Sequence, residues 1–580
     1  MLCISLFIFR QSPAQGTWTA INNLAPAPEG GGMVLLTDGT VMCKTYSPGG
    51  WPTPDSGWVL LTPDSHGSYV NGTWSTLPNM HYGRFAFSSQ VMPDGNVYIA
   101  GGEHGNGTNT AELYNTVTKK WKDIPNSPGF DIEDANSELL YDGTVLEGCG
   151  NPYNPPIDTI NLMYMPGTGS FIAGPSSFGT HEESSWLKLP DSSVLSVDAI
   201  TRNSERYIPQ QHKWVHDGTL PVDLFDPGSY ETGACVLLPN GKGFFIGDIQ
   251  YTAIYTPSGN ASPGTWSTGS AMPTRAGIGQ LASWDGPAAM MVNGNVLCTF
   301  SAPASESEPT FFYEYNYLTN AFTAVSAPGN VDSALTWSNF MTLLQLPDGS
   351  VMLGYTDSTR FYIYKPSGSA IPQGIPTINE VASNNCDTFR ITGKLFNGIS
   401  EGAGFGDDWQ MSTNYPIVRV TDGTNVYYAK TFNWNRLGAL RTDSLEDTAY
   451  FTFPNAIPAG TYSLVVVANG FPSKPVLFGP CITAIADIKD QKNISIFPNP
   501  SKGKFTIQSS VPARMNRSDG VSALWSVDVY NLMGQRVKSE ELRAKSEEID
   551  LTGQPNGVYF YRVLSENGGL IGEGKVVIQK

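Results

Sequence analysis

The chain has 580 residues, of which 61 are Gly, 42 are Pro and 11% are aromatic, and its formal net charge is −18. This length exceeds that of one ordinary domain, and a composition so rich in turn residues is typical of all-β proteins. Nucleic acids and anionic lipids bind basic surfaces, so the acidic charge argues against both as partners.

Residues 1–15 have the pattern of a secretory signal peptide with a truncated start. An apolar stretch from Leu2 to Phe9 precedes Ser-Pro-Ala-Gln, a cleavage region just before Gly16. The basic segment that normally comes first is missing, which leaves a frayed N-terminus as the alternative. No later apolar stretch is long enough to span a bilayer, so no transmembrane segment is predicted.

One short phrase, a tight turn followed by a brief apolar strand, recurs seven times at intervals of 48 to 56 residues. The copies begin at Asp38, Asp94, Asp142, Asp191, Asn240, Asn293 and Asp348. Asp-Gly and Asn-Gly supply the positive φ that a tight hairpin needs. The interval is that of a four-stranded blade, and a single hairpin cannot bury its own faces. The repeat therefore predicts a seven-bladed β-propeller over residues 16–372.

The ends of the repeat array predict how the ring closes. A strand around Trp18 looks like the fourth strand of a blade that has nothing before it, and the seventh repeat stops without a fourth strand. We therefore expect the Trp18 strand to complete the last blade, because ring closure pairs backbone groups that would otherwise form open edges. Third strands carry Tyr or Phe, fourth strands often carry Trp, and one Gly pair is present at Gly101–Gly102. This pattern resembles the kelch repeat.

Most of the seven cysteines read as structural. Cys43, Cys149 and Cys298 occupy similar places in their repeats, which predicts small buried residues. There is no CxxC pair or Cys/His cluster with metal-ligand spacing, so no metal site is predicted from the sequence. Cys386 and Cys481 bracket the domain after the propeller, and an exported protein could join them in a disulfide.

Three segments follow the propeller. Residues 373–485 contain alternating strands that predict an immunoglobulin-like β-sandwich. Residues 486–492 form a short polar linker, and residues 493–580 predict a small C-terminal β-sandwich.

The last segment carries several spaced motifs: Phe497-Pro498-Asn499-Pro500, Gly503, Phe505, VYNLMGQRV and Asn556-Gly557-Val558-Tyr559. Together they resemble the C-terminal sorting domain of the type IX secretion system of Bacteroidetes. The resemblance implies export through that machinery, followed by release or attachment to the outer cell surface. A generic small β-sandwich is the alternative.

The propeller followed by a sandwich resembles galactose oxidase and glyoxal oxidase, whose second domain is an immunoglobulin-like "early set" domain. In that family two Tyr and two His hold copper, and one Tyr is linked to a Cys. Here no His follows residue 216, and Asn339-Phe340 occupy the place of one family Tyr-His pair. The loop after Val418-Arg419 has no His, and no Cys precedes the Asp94 repeat where the radical partner is expected. A copper-radical site is therefore not expected, and no cofactor is predicted.

The loops that lead into the first strand of each blade should converge on the propeller axis and form the site. Its candidate residues are Arg84, Glu133, His181, Glu182, Tyr230, Arg275 and Trp337. A funnel of carboxylates and aromatic rings suits a glycan or another extracellular ligand. The alternatives are a divergent alcohol or aldehyde oxidase, a hydrolase or lyase acting on carbohydrate through Glu182 and Glu183, and ordinary structural residues. The acidic segment from Asp131 to Asp134 is a weak calcium signal, because it lacks the spaced Asp/Asn-Gly loop of a strong motif.

Overall fold

The computed structural model describes residues 15–47, 55–102, 104–105, 108–125, 131–132, 136–149, 159–181, 183–198, 200–227, 231–303, 307–383, 387–405, 409–441, 445–480, 494–509, 525–532, 534–542, 546–564 and 570–580. The described chain is all-β, with three short 3-10 helices at Pro209–Gln211, Ser338–Phe340 and Pro372–Gly374. None of the helices in the described ranges is long and apolar enough to cross a membrane.

Seven four-stranded antiparallel blades form a β-propeller, and the sheet of blade 6 continues into two further strands. The strands of each blade are named from the innermost to the outermost. Blade 1 consists of Glu29–Leu35, Val41–Thr45, Trp58–Thr62 and Thr73–Thr76. Blade 2 consists of Ser88–Val91, Val97–Ala100, Ala111–Asn115 and Lys120–Ile124. Blade 3 consists of Ser137–Leu139, Val145–Gly148, Asn161–Met165 and Ser170–Ala173. Blade 4 consists of Trp186–Lys188, Val194–Val197, Ser204–Ile208 and Lys213–His216. Blade 5 consists of Thr232–Leu237, Gly243–Gly247, Thr252–Thr256 and Thr265–Thr268. Blade 6 consists of Ala288–Met290, Val296–Phe300, Phe311–Asn316 and Ala321–Val325. Blade 7 consists of Met341–Gln345, Val351–Tyr355, Tyr362–Lys365 and the N-terminal strand Thr17–Ala20.

The repeated turn joins the first and second strands of every blade. Its second residue has positive φ in all seven copies: Gly39, Gly95, Gly143, Ser192, Gly241, Gly294 and Gly349. Glycine accepts this conformation without the clash that a side chain would make. We call the end of the ring that carries these turns the turn face. Two additional short pairs, Arg84–Phe85 with His104–Gly105 and Thr274–Arg275 with Gly279–Gln280, lie outside the blades.

The predicted closure of the ring is confirmed. Trp18 pairs with Tyr364 in the strand register of blade 7, and their ring centroids are 4.7 Å apart. The Trp18 indole Nε1 donates to the Ser326 carbonyl at 2.7 Å, so the N-terminal strand is also bonded to blade 6. The strands nearest the axis are buried, and Cys43, Cys149 and Cys298 are fully inaccessible, as predicted. Cys386 and Cys481 lie outside the described residues.

The domain after the propeller has two layers of antiparallel strands. One strand, Val426–Phe432, belongs to both layers, because residues 426–429 pair with Ile417–Thr421 while residues 430–432 pair with Asp447–Thr452. The remaining strands are Thr377–Ser383, Phe389–Lys394, Tyr462–Ala468, Phe471–Pro472 and Val476–Phe478. This arrangement is the predicted sandwich, and its strands form one compact unit with the propeller, within residues 1–481.

A hairpin of the sandwich occupies the propeller axis. Its strands Gly402–Phe405 and Trp409–Ser412 contact the inner strands of blades 1, 2, 5, 6 and 7, and Ala403 pairs with Ala289 of blade 6. The Gln410 amide donates to the Trp186 carbonyl of blade 4 at 2.7 Å. The axis is therefore filled by protein and is not an open channel along the hairpin.

The body of the sandwich packs against the turn face. Gly39 lies against the Tyr428 ring so closely that a Cβ at Gly39 would be 2.4 Å from it. The Val426 amide donates to the Ser65 carbonyl at 2.8 Å, and Leu440 packs beside Gly241. Since the sandwich covers the turn face, the opposite end of the ring is the candidate end for ligand binding.

The C-terminal unit, residues 482–580, has two small sheets. Its strands are Ile494–Phe497, Lys504–Ser509 and Ser546–Asp550 in one sheet, and Trp525–Tyr530, Arg536–Leu542, Gly557–Leu564 and Leu570–Ile578 in the other. Phe505, Ile549, Val527 and Val563 are buried in the core of this small sandwich. The linker predicted at residues 486–492 lies outside the described residues.

Candidate ligand-binding face of the propeller

The loop face is the end of the ring at which the chain enters each inner strand, opposite the turn face. In the described residues that come just before an inner strand, three residues other than Gly have positive φ: Ala86 at 44°, Glu183 at 49° and Asp285 at 43°. They lie shortly before the inner strands of blades 2, 4 and 6. Left-handed backbone costs free energy for a residue with a side chain, and such strain is concentrated at functional sites. The loop face is therefore the candidate site.

Two neighbouring loops of this face, which precede the inner strands of blades 6 and 7, are joined. The Ser338 hydroxyl donates to the Trp284 carbonyl at 2.7 Å. Beside this bond the Trp337 ring packs against Phe340, with centroids 4.7 Å apart. We call Trp284, Trp337, Ser338, Asn339 and Phe340 the Trp284–Asn339 cluster.

Two polar atoms of the Trp284–Asn339 cluster are buried without a hydrogen-bond partner among the described residues. They are the indole Nε1 of Trp284, a donor, and the side-chain Oδ1 of Asn339, an acceptor. Buried polar groups are nearly always paired, and leaving one unpaired costs about 1–3 kcal/mol. The cluster thus contains one unpaired donor and one unpaired acceptor.

Apolar side chains are exposed on the loop that precedes the cluster. Leu335 is 83% exposed and Val331 is 52% exposed. Trp337, one of the residues predicted from the sequence, lies two residues after Leu335 and is half-buried. The loop therefore exposes apolar side chains shortly before the cluster in the chain.

Arg275, a second predicted residue, lies beside the third strand of blade 6. Its guanidinium covers the Phe311 ring at 4.5 Å, its Nε donates to the Tyr313 hydroxyl at 2.9 Å, and its Nη1 pairs with Asp332 at 3.0 Å. Burial raises the pKa of Tyr313, although the Arg275 charge opposes the shift. Arg275 is partly exposed, but two partners and an aromatic face already hold its charge.

Arg84 does not line an open funnel, which corrects the sequence-based expectation. Its side chain is inaccessible, and its Nη2 lies 3.3 Å from the Glu112 carboxylate of blade 2. The same guanidinium donates to the Gly101 carbonyl and to the Thr110 hydroxyl, both at 2.6 Å. A buried guanidinium requires such partners. Arg84 therefore stabilises blade 2 from within.

His181 is also buried inside its blade, so it too is corrected. Its Nε2 lies 3.0 Å from Glu205, and its Nδ1 lies 3.1 Å from the Asn161 side-chain oxygen. The ring is enclosed by Trp186 and Trp214, at centroid distances of 5.1 and 4.3 Å. Burial alone would raise the pKa of Glu205, but hydrogen bonds from His181 and two backbone amides lower it instead.

The other predicted residues of the funnel, Glu133, Glu182 and Tyr230, lie outside the described residues. Asp131, at the start of the weak calcium segment, accepts a hydrogen bond from the Thr108 hydroxyl at 3.3 Å. Of the seven predicted residues, the structure thus places Trp337 on the loop face and Arg275 near it.

A buried carboxyl group, Glu29, joins blades 1 and 7 at this end of the ring. It accepts hydrogen bonds from the Gly31 amide at 2.9 Å, the Thr342 hydroxyl at 3.1 Å and the Thr356 hydroxyl at 3.3 Å. Burial raises its pKa to about 7, which these hydrogen bonds only partly offset. Glu29 is nevertheless enclosed, so it holds two blades together and is not presented to solvent.

The side chains at the place where the sequence resemblance puts a copper-binding Tyr-His pair do not fit that metal. Cu(II) is bound well by imidazole and phenolate, whereas Asn339 offers an amide and Phe340 offers no donor atom. Phe340 instead packs on Trp337, and the imidazole of His181 is enclosed within blade 4. We therefore derive no chemistry through a copper-radical centre.

One side-chain group was missed by sequence reasoning. His81, Glu112 and Asp123 bring a ring nitrogen and two carboxylate oxygens within 4.8 Å of one another. Their spacing in the sequence matches no metal-binding motif. The two carboxylates come together only through the antiparallel pairing of two strands. Only the strand register of blade 2 would have revealed them.

Comparisons with known proteins agree with this architecture. Residues 91–128 match the Kelch motif, and residues 495–579 match the Secretion system C-terminal sorting domain. The chain therefore contains kelch repeats and a type IX sorting domain, which marks it for secretion or display on the cell surface.

No curated protein matches the chain. Among solved structures it is similar to a novel fungal alcohol oxidase of the AA5 family in complex with copper, with 12% sequence identity and a TM-score of 0.48. That alignment covers 80% of this chain and 99% of the oxidase.

Proposed function

We propose that this exported or cell-surface protein binds a hydroxyl-rich extracellular ligand, a glycan, on the loop face of its propeller, without copper-radical chemistry. The observation that carries the proposal is the pair of buried, unpartnered atoms in the Trp284–Asn339 cluster, Nε1 of Trp284 and Oδ1 of Asn339. A sugar hydroxyl both donates and accepts hydrogen bonds, so one or two hydroxyls would satisfy both atoms.

The surroundings of these atoms favour a sugar over a simple ion. The Trp337 and Phe340 rings pack together, and Leu335, two residues before Trp337 in the chain, has an exposed apolar side chain. Sugars present C–H faces as well as hydroxyls, and aromatic rings bind such faces while polar groups fix orientation. Binding of this kind needs no nucleophile or metal to hold the ligand.

The test is a glycan array probed with the purified full-length chain, followed by calorimetric titration of the strongest ligand. Trp337→Ala should weaken binding at least about tenfold, because it removes the aromatic surface. Trp74→Ala is the matched control, since Trp74 is a partly exposed Trp on the outer strand of blade 1. It should leave binding unchanged.

Three results would contradict the proposal. An array without binding, in a chain shown to be folded, would exclude the glycan and favour a protein partner. Stoichiometric copper together with peroxide release from alcohols or aldehydes would favour a divergent oxidase instead. Product formation from a glycan that Glu182→Gln abolishes, with folding unchanged, would favour the hydrolase or lyase.

A further inference from the structure

Three metal-ligating groups converge at the outer part of blade 2, away from the Trp284–Asn339 cluster. His81 lies in the connection from blade 1, Glu112 on the third strand of blade 2 and Asp123 on its fourth strand. The His81 Nδ1 contacts an Asp123 oxygen and lies 3.3 Å from Oε1 of Glu112. All three donor atoms lie within 4.8 Å of one another.

The strand register places two of these carboxylates side by side, and the Arg84 guanidinium meets Glu112 at its Oε2. Glu112 and Asp123 are directly opposite each other on paired antiparallel strands. Like charges at directly opposed positions destabilise a sheet. A positive centre between the two carboxylates removes that penalty, and the His81 Nδ1 lies beside both of them.

Neighbouring groups hold Glu112 in the orientation of a ligand. The carboxylate is fully buried, and its Oε2 is fixed by Arg84 at 3.3 Å. Its Oε1 accepts the His81 backbone amide at 2.7 Å and faces the His81 ring. Hydrogen bonds that orient a carboxylate from behind are a regular feature of metal sites.

We propose that His81, Glu112 and Asp123 bind one divalent transition-metal ion, with Zn²⁺ the best match. One imidazole nitrogen and two carboxylate oxygens are common Zn²⁺ ligands, and the fourth position is left for water. The His81 and Asp123 side chains are 50% and 57% exposed, so an ion reaches the site directly from solvent. The ion would clamp the connection from blade 1 onto the outer strands of blade 2.

The site is tested on the tag-free full-length chain after dialysis against a chelator. Calorimetric titration with ZnCl₂ at about pH 7.5 should show one Zn²⁺ per chain. Saturating Zn²⁺ should also raise the melting temperature, because a ligand that binds only the folded state stabilises it. Asp123→Asn and His81→Gln should each weaken Zn²⁺ binding at least about tenfold.

The chain provides a matched control for these variants. His66 pairs with Asp64 at 3.9 Å on the surface of blade 1, with the same residue types but no third ligand in the part of the chain that the structure describes. His66→Gln should leave Zn²⁺ affinity unchanged. Asp123→Asn is conservative at an exposed position, so its loss of binding would not reflect loss of the fold, which circular dichroism checks.

Two outcomes would overturn the proposal. One is the absence of saturable Zn²⁺ binding by the folded chain. The other is Zn²⁺ binding that His81→Gln and Asp123→Asn leave unchanged.

Discussion

Lys188 on the inner strand of blade 4 and Glu401 of the sandwich form a buried ion pair, with Nζ and Oε1 3.1 Å apart. The Lys188 backbone amide also donates to the other Glu401 oxygen at 3.2 Å. Glu138 of blade 3 is a second carboxylate 2.7 Å from the same ammonium. Burial would lower the pKa of Lys188, but the two carboxylates raise it instead. The hairpin is thus fixed in the axis by charge as well as by shape.

Replacement of Lys188 should test this relationship. Lys188→Met leaves Glu138 and Glu401 facing each other in a buried site, and removal of one partner of a buried pair costs about 3–5 kcal/mol. The loss should be larger at pH 8 than at pH 5, because at low pH the Glu138 carboxyl group takes up a proton. Burial, and then the Glu401 charge, already raise the pKa of Glu138. Denaturant unfolding followed by Trp fluorescence at both pH values measures the difference.

The control removes the remaining charges. Lys188→Met combined with Glu138→Gln and Glu401→Gln should recover much of the lost stability and abolish the difference between the two pH values. If Lys188→Met unfolds like the natural chain at both pH values, the ion pair does not hold the hairpin.

Ring closure gives a second prediction. Deletion of residues 16–24 should sharply lower the melting temperature, because it removes the outer strand of blade 7 and exposes the edge at Tyr362–Lys365. Trp18→Ala should cost about 2–3 kcal/mol, less than a fully buried Trp, since the ring is half-buried. Leu24→Ala, at a side chain that is 52% exposed, is the control and should change stability by less than about 0.5 kcal/mol. An unchanged melting curve after the deletion would reject closure by this strand.

The blades were predictable because their signal is local. A turn with Asp or Asn followed by Gly, or by Ser in the Asp191 copy, imposes its conformation on neighbouring residues, and seven copies at one period permit few architectures. Closure by Trp18 was predictable for a related reason, since a missing fourth strand at one end matched an extra strand at the other. The buried cysteines followed from their place within the repeat.

The site was less predictable because burial of a charged group depends on partners that are distant in sequence. Arg84 and His181 look like funnel residues until Glu112 and Glu205 are found beside them. The contact between Lys188 and Glu401 joins positions 213 residues apart, and no repeat pattern indicates it. The strand register must therefore be known before a polar side chain in a propeller loop can be assigned to ligand binding or to a structural role.

Glu147 should make stability fall as the pH rises. This carboxyl group on the second strand of blade 3 is inaccessible, accepts a hydrogen bond from the Ser88 hydroxyl of blade 2 at 2.9 Å, and has a pKa raised by burial to about 8. Between pH 4.5 and 8 the folded chain therefore keeps a proton that the unfolded chain releases. The stability linked to this proton is present at low pH and is lost as the pH rises through the folded pKa.

Glu147→Gln removes this titration. The free energy of unfolding of the variant, minus that of the natural chain, should rise between pH 5 and pH 8.5. The pKa shift of Glu147 limits this rise to at most about 3–5 kcal/mol. Urea unfolding of both chains over this range measures it, and other titrating groups cancel in the comparison. Parallel stability curves for the two chains would show that Glu147 does not titrate in this window.

Two indole groups separate ligand binding from folding. The Trp284 Nε1 is buried and has no partner among the described residues, whereas the Trp74 Nε1 donates to the Asn23 carbonyl at 3.1 Å. Trp284→Phe removes an unpaired donor, so stability should stay the same or rise, while affinity for the glycan should fall by about fivefold to tenfold for one lost hydrogen bond. Trp74→Phe removes a paired donor far from the cluster, so stability should fall slightly and affinity should not change. Thermal unfolding and calorimetric titration of both variants give this double comparison. If Trp284→Phe binds the glycan as the natural chain does, the unpaired indole does not contact the ligand, and the ligand position must move toward Trp337.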